Sequence, residues 1–61
     1  MKADLKINAT YEVVTSYCVY SALALDAIGE NELTFTDINS DDYTVIKLPM
    51  HYIESMHRLM I

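Results

Sequence analysis

Between Ala9 and Ile28 the chain runs for 20 residues without Gly, Pro or Asn, and Gly29 follows directly, where a left-handed helix end favours glycine. Laid out at helical spacing, Val13, Val14, Tyr17, Tyr20, Ala24, Leu25 and Ile28 share one side, while Glu12, Ser16 and Asp26 lie elsewhere. Asn8 stands where an N-cap belongs, and Glu12 is close enough to favour the positive end of the helix dipole. These signals predict one long helix. Against them, Thr10 to Tyr20 is dense in Val, Thr and Tyr, which lose side-chain freedom in helices and fit pleated strands. The alternative is a strand over that stretch continuing into a short helix from Ser21 to Ile28. Length decides for the helix, because a strand of that size without a turn would be unusually long.

The second half reads as a β-hairpin. Glu32 to Ile38 and Tyr43 to Leu48 are two runs of Thr and apolar residues around the polar patch Asn39-Ser40-Asp41-Asp42. Leu33 and Phe35 alternate with Thr34 and Thr36 on one strand, and Tyr43 and Val45 with Thr44 and Ile46 on the other. Pro49 suits the first position of a further helix, since its missing N–H would have no partner there. A helix from Met50 to Ile61 then carries Met50, Ile53, Met56, His57 and Met60 along one stripe, with Glu54 and Arg58 paired one turn apart. The pattern as a whole predicts an α+β domain over residues 1–61: an N-terminal helix (or strand), a hairpin and a C-terminal helix.

Composition sharpens this picture. A chain of 61 residues makes one domain with a thin core, yet 52% of its residues are hydrophobic, among them five Tyr and four Met. Apolar surface in excess of what the core can hide points to self-association, and the Met-rich end offers Met56, Met60 and Ile61 as a homodimer interface. The single cysteine, Cys18, lies in the apolar run Tyr17-Cys18-Val19-Tyr20, cannot form an internal disulfide and indicates a reducing, cytoplasmic setting. No export signal is visible in the first residues, and the longest apolar run, Ala22 to Leu25, is far below the roughly 18 to 20 residues needed to span a bilayer. The expectation is a soluble protein without a membrane partner.

Charge changes the picture most. Nine acids stand against four bases, for a formal net charge of −5, and Asp26, Glu30, Glu32, Asp37, Asp41 and Asp42 fall in one stretch that lacks Lys and Arg. The bases Lys2, Lys6, Lys47 and Arg58 are too scattered to follow a row of phosphates, which argues against direct nucleic-acid binding. A basic protein surface is the expected partner.

Candidate chemistry is sparse. Asp37-Ile38-Asn39-Ser40-Asp41 matches the first ligand positions of a calcium loop, but Asp42 replaces the glycine of the sharp turn and Leu48 the closing bidentate Glu, so the ordinary reading is a solvated hairpin tip. His51 and His57 are six apart, roughly 240° around a helix, and do not chelate together there. Cys18 beside a histidine would imitate a nucleophile and base, but nothing local supports that pairing. One glycine excludes a glycine-rich phosphate loop. The expectation is therefore no enzyme, no metal and no cofactor. The five tyrosines read as partly buried fold residues.

Clustered charge is usually a solvated face, but Glu30, Glu32, Asp37, Asp41 and Asp42 on one rigid hairpin would also make a recognition surface whose carboxylates occupy the places of phosphates. In size and charge alone the chain resembles the small accessory inhibitors carried by phages. The function expected from the sequence is a non-enzymatic inhibitor or modulator that works by protein contact. The alternative is a structural or assembly subunit, a homo-oligomer whose acidity serves solubility.

Overall fold

The computed structural model describes residues 5–60, and it replaces the expected α+β arrangement with an all-β one. Five strands, β1 (Thr10–Thr15), β2 (Val19–Ile28), β3 (Glu32–Asp37), β4 (Val45–Pro49) and β5 (Ile53–Arg58), form one antiparallel sheet in the order β4-β3-β2-β1-β5. The only helical element among the described residues is a 3-10 turn, Met50–Tyr52.

Both predicted helices fail for physical reasons. In the first, the β-branched and aromatic run prevails: Tyr11, Val13 and Thr15 point inward from β1, with half-buried Thr10, Glu12 and Val14 between them. The stretch is broken at Ser16-Tyr17-Cys18, where the Thr15 hydroxyl accepts the N–H groups of Tyr17 (3.1 Å) and Cys18 (3.0 Å). A side chain makes this turn, so no glycine is required. Asn8 is not an N-cap; it takes a left-handed conformation (φ 75°), which Asn tolerates, and its N–H donates to the Leu25 carbonyl at 2.7 Å. At the other end, Pro49 precedes helical geometry for only three residues before the chain returns to a strand.

The hairpin of β3 and β4 is present, pairing Leu33 with Leu48, Phe35 with Ile46 and Thr36 with Val45. Its second strand, expected from Tyr43 to Leu48, runs Val45–Pro49. Leu48 and Ile46 face the core, whereas Tyr43 and Val45 face solvent. The buried apolar set is Tyr11, Val13, Leu23, Leu25, Leu33, Phe35 and Leu48, with Tyr20, Ile46, Met50, Ile53 and Met56 packed against it. The buried Tyr11 hydroxyl accepts the Lys6 N–H at 2.9 Å, so the segment before β1 folds over the core.

The sheet curls strongly. β4 and β5 are its two edges, about 19 Å apart if five strands lay flat. Yet the three-residue 3-10 turn that joins them rises only about 6 Å. Register shifts bend the strands: β2 carries an extra residue against β1 between Tyr20 and Leu23 and another, Asp26, against β3, while β5 carries Glu54 against β1. The β1–β5 ladder, which pairs Thr15 with Ile53, brings the β1–β2 turn to the 3-10 turn, where the Ser16 N–H donates to the Tyr52 carbonyl at 2.9 Å.

Candidate functional site

The acids expected to act together are distributed by the topology over two tips. Glu30 lies in the turn between β2 and β3 and Glu32 begins β3, while Asp37 ends that strand and Asp41 and Asp42 occupy the loop to β4. A six-residue strand, roughly 17 Å of extended chain, separates the two groups. One continuous acidic hairpin face therefore does not form.

Four of the five, Glu30, Glu32, Asp41 and Asp42, are exposed. Asp37 is half-buried and works within its loop. Its carboxylate accepts the Asn39 N–H (3.0 Å), and its carbonyl accepts the Ser40 N–H (3.2 Å) and hydroxyl (3.1 Å). The Ser40 hydroxyl in turn accepts the Thr44 N–H at 2.8 Å, and Asn39 donates to the Ser21 hydroxyl of β2 at 3.1 Å. These bonds fix the tip that presents Asp41, Asp42 and the exposed Tyr43, whose positive φ (51°) is uncommon for a bulky residue. Asp26 is likewise engaged, accepting the Thr36 hydroxyl at 2.6 Å.

Of the expected oligomer residues, Met56 lies on β5 and Met60 beyond it, rather than on a helix. Met56 is half-buried, paired with Val13 of β1 and packed against the core. Met60 is 91% exposed, and Ile61 lies outside the described residues.

No group of three or more His, Cys, Asp or Glu side chains among the described residues is arranged to hold a metal ion. His57 stands on β5 opposite Glu12, and His51 sits on the 3-10 turn. Cys18 is exposed, with its sulfur 3.9 Å from the Thr15 hydroxyl. It also takes part in a hydrogen bond with Tyr20, which, ahead of burial and the charges of Cys18 and Asp37, raises the Tyr20 phenol above its ordinary range. Neither Thr15 nor Tyr20 is the histidine base that a nucleophilic cysteine would need.

What the sequence reading missed is an aromatic ledge. Tyr17 in the β1–β2 turn meets Tyr52 edge-on, with centroids 5.2 Å apart and planes at 77°, and Tyr52 meets His51 at 4.7 Å and 74°. Tyr17 keeps 75% of its surface in solvent. The backbone ties the ledge to the acidic β2–β3 turn. Glu32 pairs with Pro49, and the Met50 N–H donates to the Asn31 carbonyl at 2.9 Å, so Glu30–Glu32 abuts the start of the turn that carries His51 and Tyr52. Some 35 residues of sequence separate Tyr17 from Tyr52, and the pairing of β1 with β5, in which Thr15 stands opposite Ile53, joins them.

Comparison with protein-family models, with curated proteins and with solved structures finds no match for this chain. No helix among the described residues is long and apolar enough to cross a membrane.

Proposed function

We propose that the chain is a non-enzymatic protein-binding module that engages a basic protein surface and modulates or inhibits its partner by covering it. The observation that carries this reading is the exposure of Glu30, Glu32, Asp41 and Asp42 on two tips whose backbones are held by pairing and turn hydrogen bonds. Carboxylates carried on a fixed backbone need order only their side chains on binding, and together they produce a field that steers positive partners, though each alone contributes little in water. A basic surface so covered is closed to phosphate-bearing ligands, which is how contact becomes inhibition.

An immobilised Lys/Arg-rich peptide tests the reading by kinetics. Association should slow as salt rises, because a Debye length of about 8 Å at physiological ionic strength screens exposed charges while leaving the core intact. Replacing Asp41 and Asp42 with Asn, and Glu30 and Glu32 with Gln, should imitate high salt at low salt. A rate indifferent to salt and to all four changes would remove the acidic-recognition reading.

One observation favours the second reading, a homodimeric assembly subunit. The bonds Asp37 N–H to Thr44 carbonyl (2.8 Å) and Met50 N–H to Asn31 carbonyl (2.9 Å) bracket the β3–β4 ladder. Alternation then turns the backbone groups of Val45 and Lys47 away from β3, leaving an edge that a second copy can extend. Lys47 and Pro49 blunt that edge. The accessible surface, 4176 Å², is also close to the roughly 4000 Å² a lone chain of 7.0 kDa presents. Partner binding is therefore preferred. Sedimentation at micromolar concentration separates the two, since Val45→Pro should abolish a dimer built on this edge.

A further inference from the structure

We infer that the ledge of Tyr17, Tyr52 and His51, with the adjoining turn Glu30–Glu32, seats an arginine side chain from a basic segment of the partner. The inference rests on the protein-binding reading and assigns it to one of the two acidic tips.

The two halves of the seat suit the two halves of a guanidinium. Its flat face is attracted to the negative face of a tyrosine ring, and its edge carries paired N–H donors that match a carboxylate. Tyr17 contributes the ring of a residue that is 75% exposed, and Tyr52 is fixed beside it by the edge-on contact and by its carbonyl's bond to Ser16. Glu30 and Glu32 supply exposed carboxylates on the turn held against Met50. The other tip lacks this combination: Tyr43 is exposed there, but no aromatic pair stands beside Asp41 and Asp42. Stacked aromatics also receive nucleic-acid bases, yet a strand laid here would bring its phosphates against Glu30 and Glu32 in a chain of net charge −5. Charge selects the basic peptide.

Nuclear magnetic resonance of the intact chain, titrated with a Gly/Ser peptide carrying one arginine and with its citrulline counterpart, tests the assignment. The arginine peptide should shift resonances of Ser16, Tyr17, Glu30, Asn31, Glu32, His51 and Tyr52, and the neutral citrulline peptide should not. Tyr17→Ser, at an exposed turn position that leaves the sheet's signal dispersion unchanged, should weaken binding by about tenfold. Glu30→Gln with Glu32→Gln should weaken it similarly, while Asp41→Asn with Asp42→Asn should leave it within about twofold. Shifts confined to Asp41–Tyr43, shifts spread evenly over every acid, or equal binding of citrulline would overturn the seat and leave the proposed function standing. No response to the arginine peptide, together with no association of the immobilised Lys/Arg-rich peptide at low salt, would remove both.

Discussion

Thr15 and Cys18 close the β1–β2 turn with three hydrogen bonds: the Thr15 N–H and hydroxyl both donate to the Cys18 carbonyl (2.9 and 3.0 Å), and the Cys18 N–H donates back to the Thr15 hydroxyl at 3.0 Å. Thr15 is the one buried polar or charged residue outside the apolar core among the described residues, and its hydroxyl serves as the turn's anchor. Thr15→Val keeps the shape and removes the anchor, leaving the Tyr17 and Cys18 N–H groups to water. Stability should fall by about 1–3 kcal/mol in urea titrations, with Thr15→Ser restoring most of it. An unaltered midpoint for Thr15→Val would show that the turn is held by the ladder alone.

Phe35 faces Leu25 across β2 and β3, and both side chains are fully buried. Deleting a buried phenyl ring costs about 3–5 kcal/mol. A domain this small has roughly 3–5 kcal/mol in all. Phe35→Ala should therefore be largely unfolded at 25 °C by circular dichroism, whereas Phe35→Leu should remain folded with a lower midpoint.

Met56 packs on the core opposite Val13, so a charge there acts on the fold before it acts on any interface. Met56→Glu should lower the unfolding midpoint by the equivalent of about 2–4 kcal/mol, equally at low and high protein concentration. A loss confined to high concentration would instead place Met56 in a contact between copies.

The Tyr20 phenol is raised chiefly by its hydrogen bond with Cys18, then by burial and by the charges of Cys18 and Asp37. Above the ordinary tyrosine value near 10, the unfolded chain loses this proton while the folded chain retains it. Unfolding then releases a proton, so the stability from this site is complete below pH 10 and declines as pH rises through the folded value. Urea midpoints measured from pH 8 to 11 should show a decline that is shallower in Tyr20→Phe. An identical slope in the variant would assign the decline to other groups.

The hairpin was legible in the sequence because Leu33, Phe35 and the polar tip obey the simple alternation of a two-faced strand. The flanking elements were not, and bulges are the reason. On β5 the extra residue Glu54 lets Ile53 and Met56, three apart, both meet the core, and on β2 the shift between Tyr20 and Leu23 does the same. A strand bent in this way copies the three-residue spacing of a helix. The turn at Ser16–Cys18 was hidden because a threonine side chain forms it. Of the candidate site, the exposed acids were legible as residues but not their separation onto two tips, and the aromatic ledge exists only through a contact between distant parts of the chain.

The place of β5 has a consequence for how the protein comes into being. β1 is flanked by β2 on one side and by β5 on the other, with the Leu59 N–H closing onto the Thr10 carbonyl at 2.9 Å. Between 38 residues (Thr15 to Ile53) and 49 (Thr10 to Leu59) thus separate the partners of that ladder, and such long closures are slow to find. A nascent chain lacking its last strand would expose one side of β1 and the core residues that Ile53 and Met56 cover. Folding should consequently be a single event that waits for β5, and partial digestion of the domain should yield intact domain or small peptides, with no surviving fragment between them.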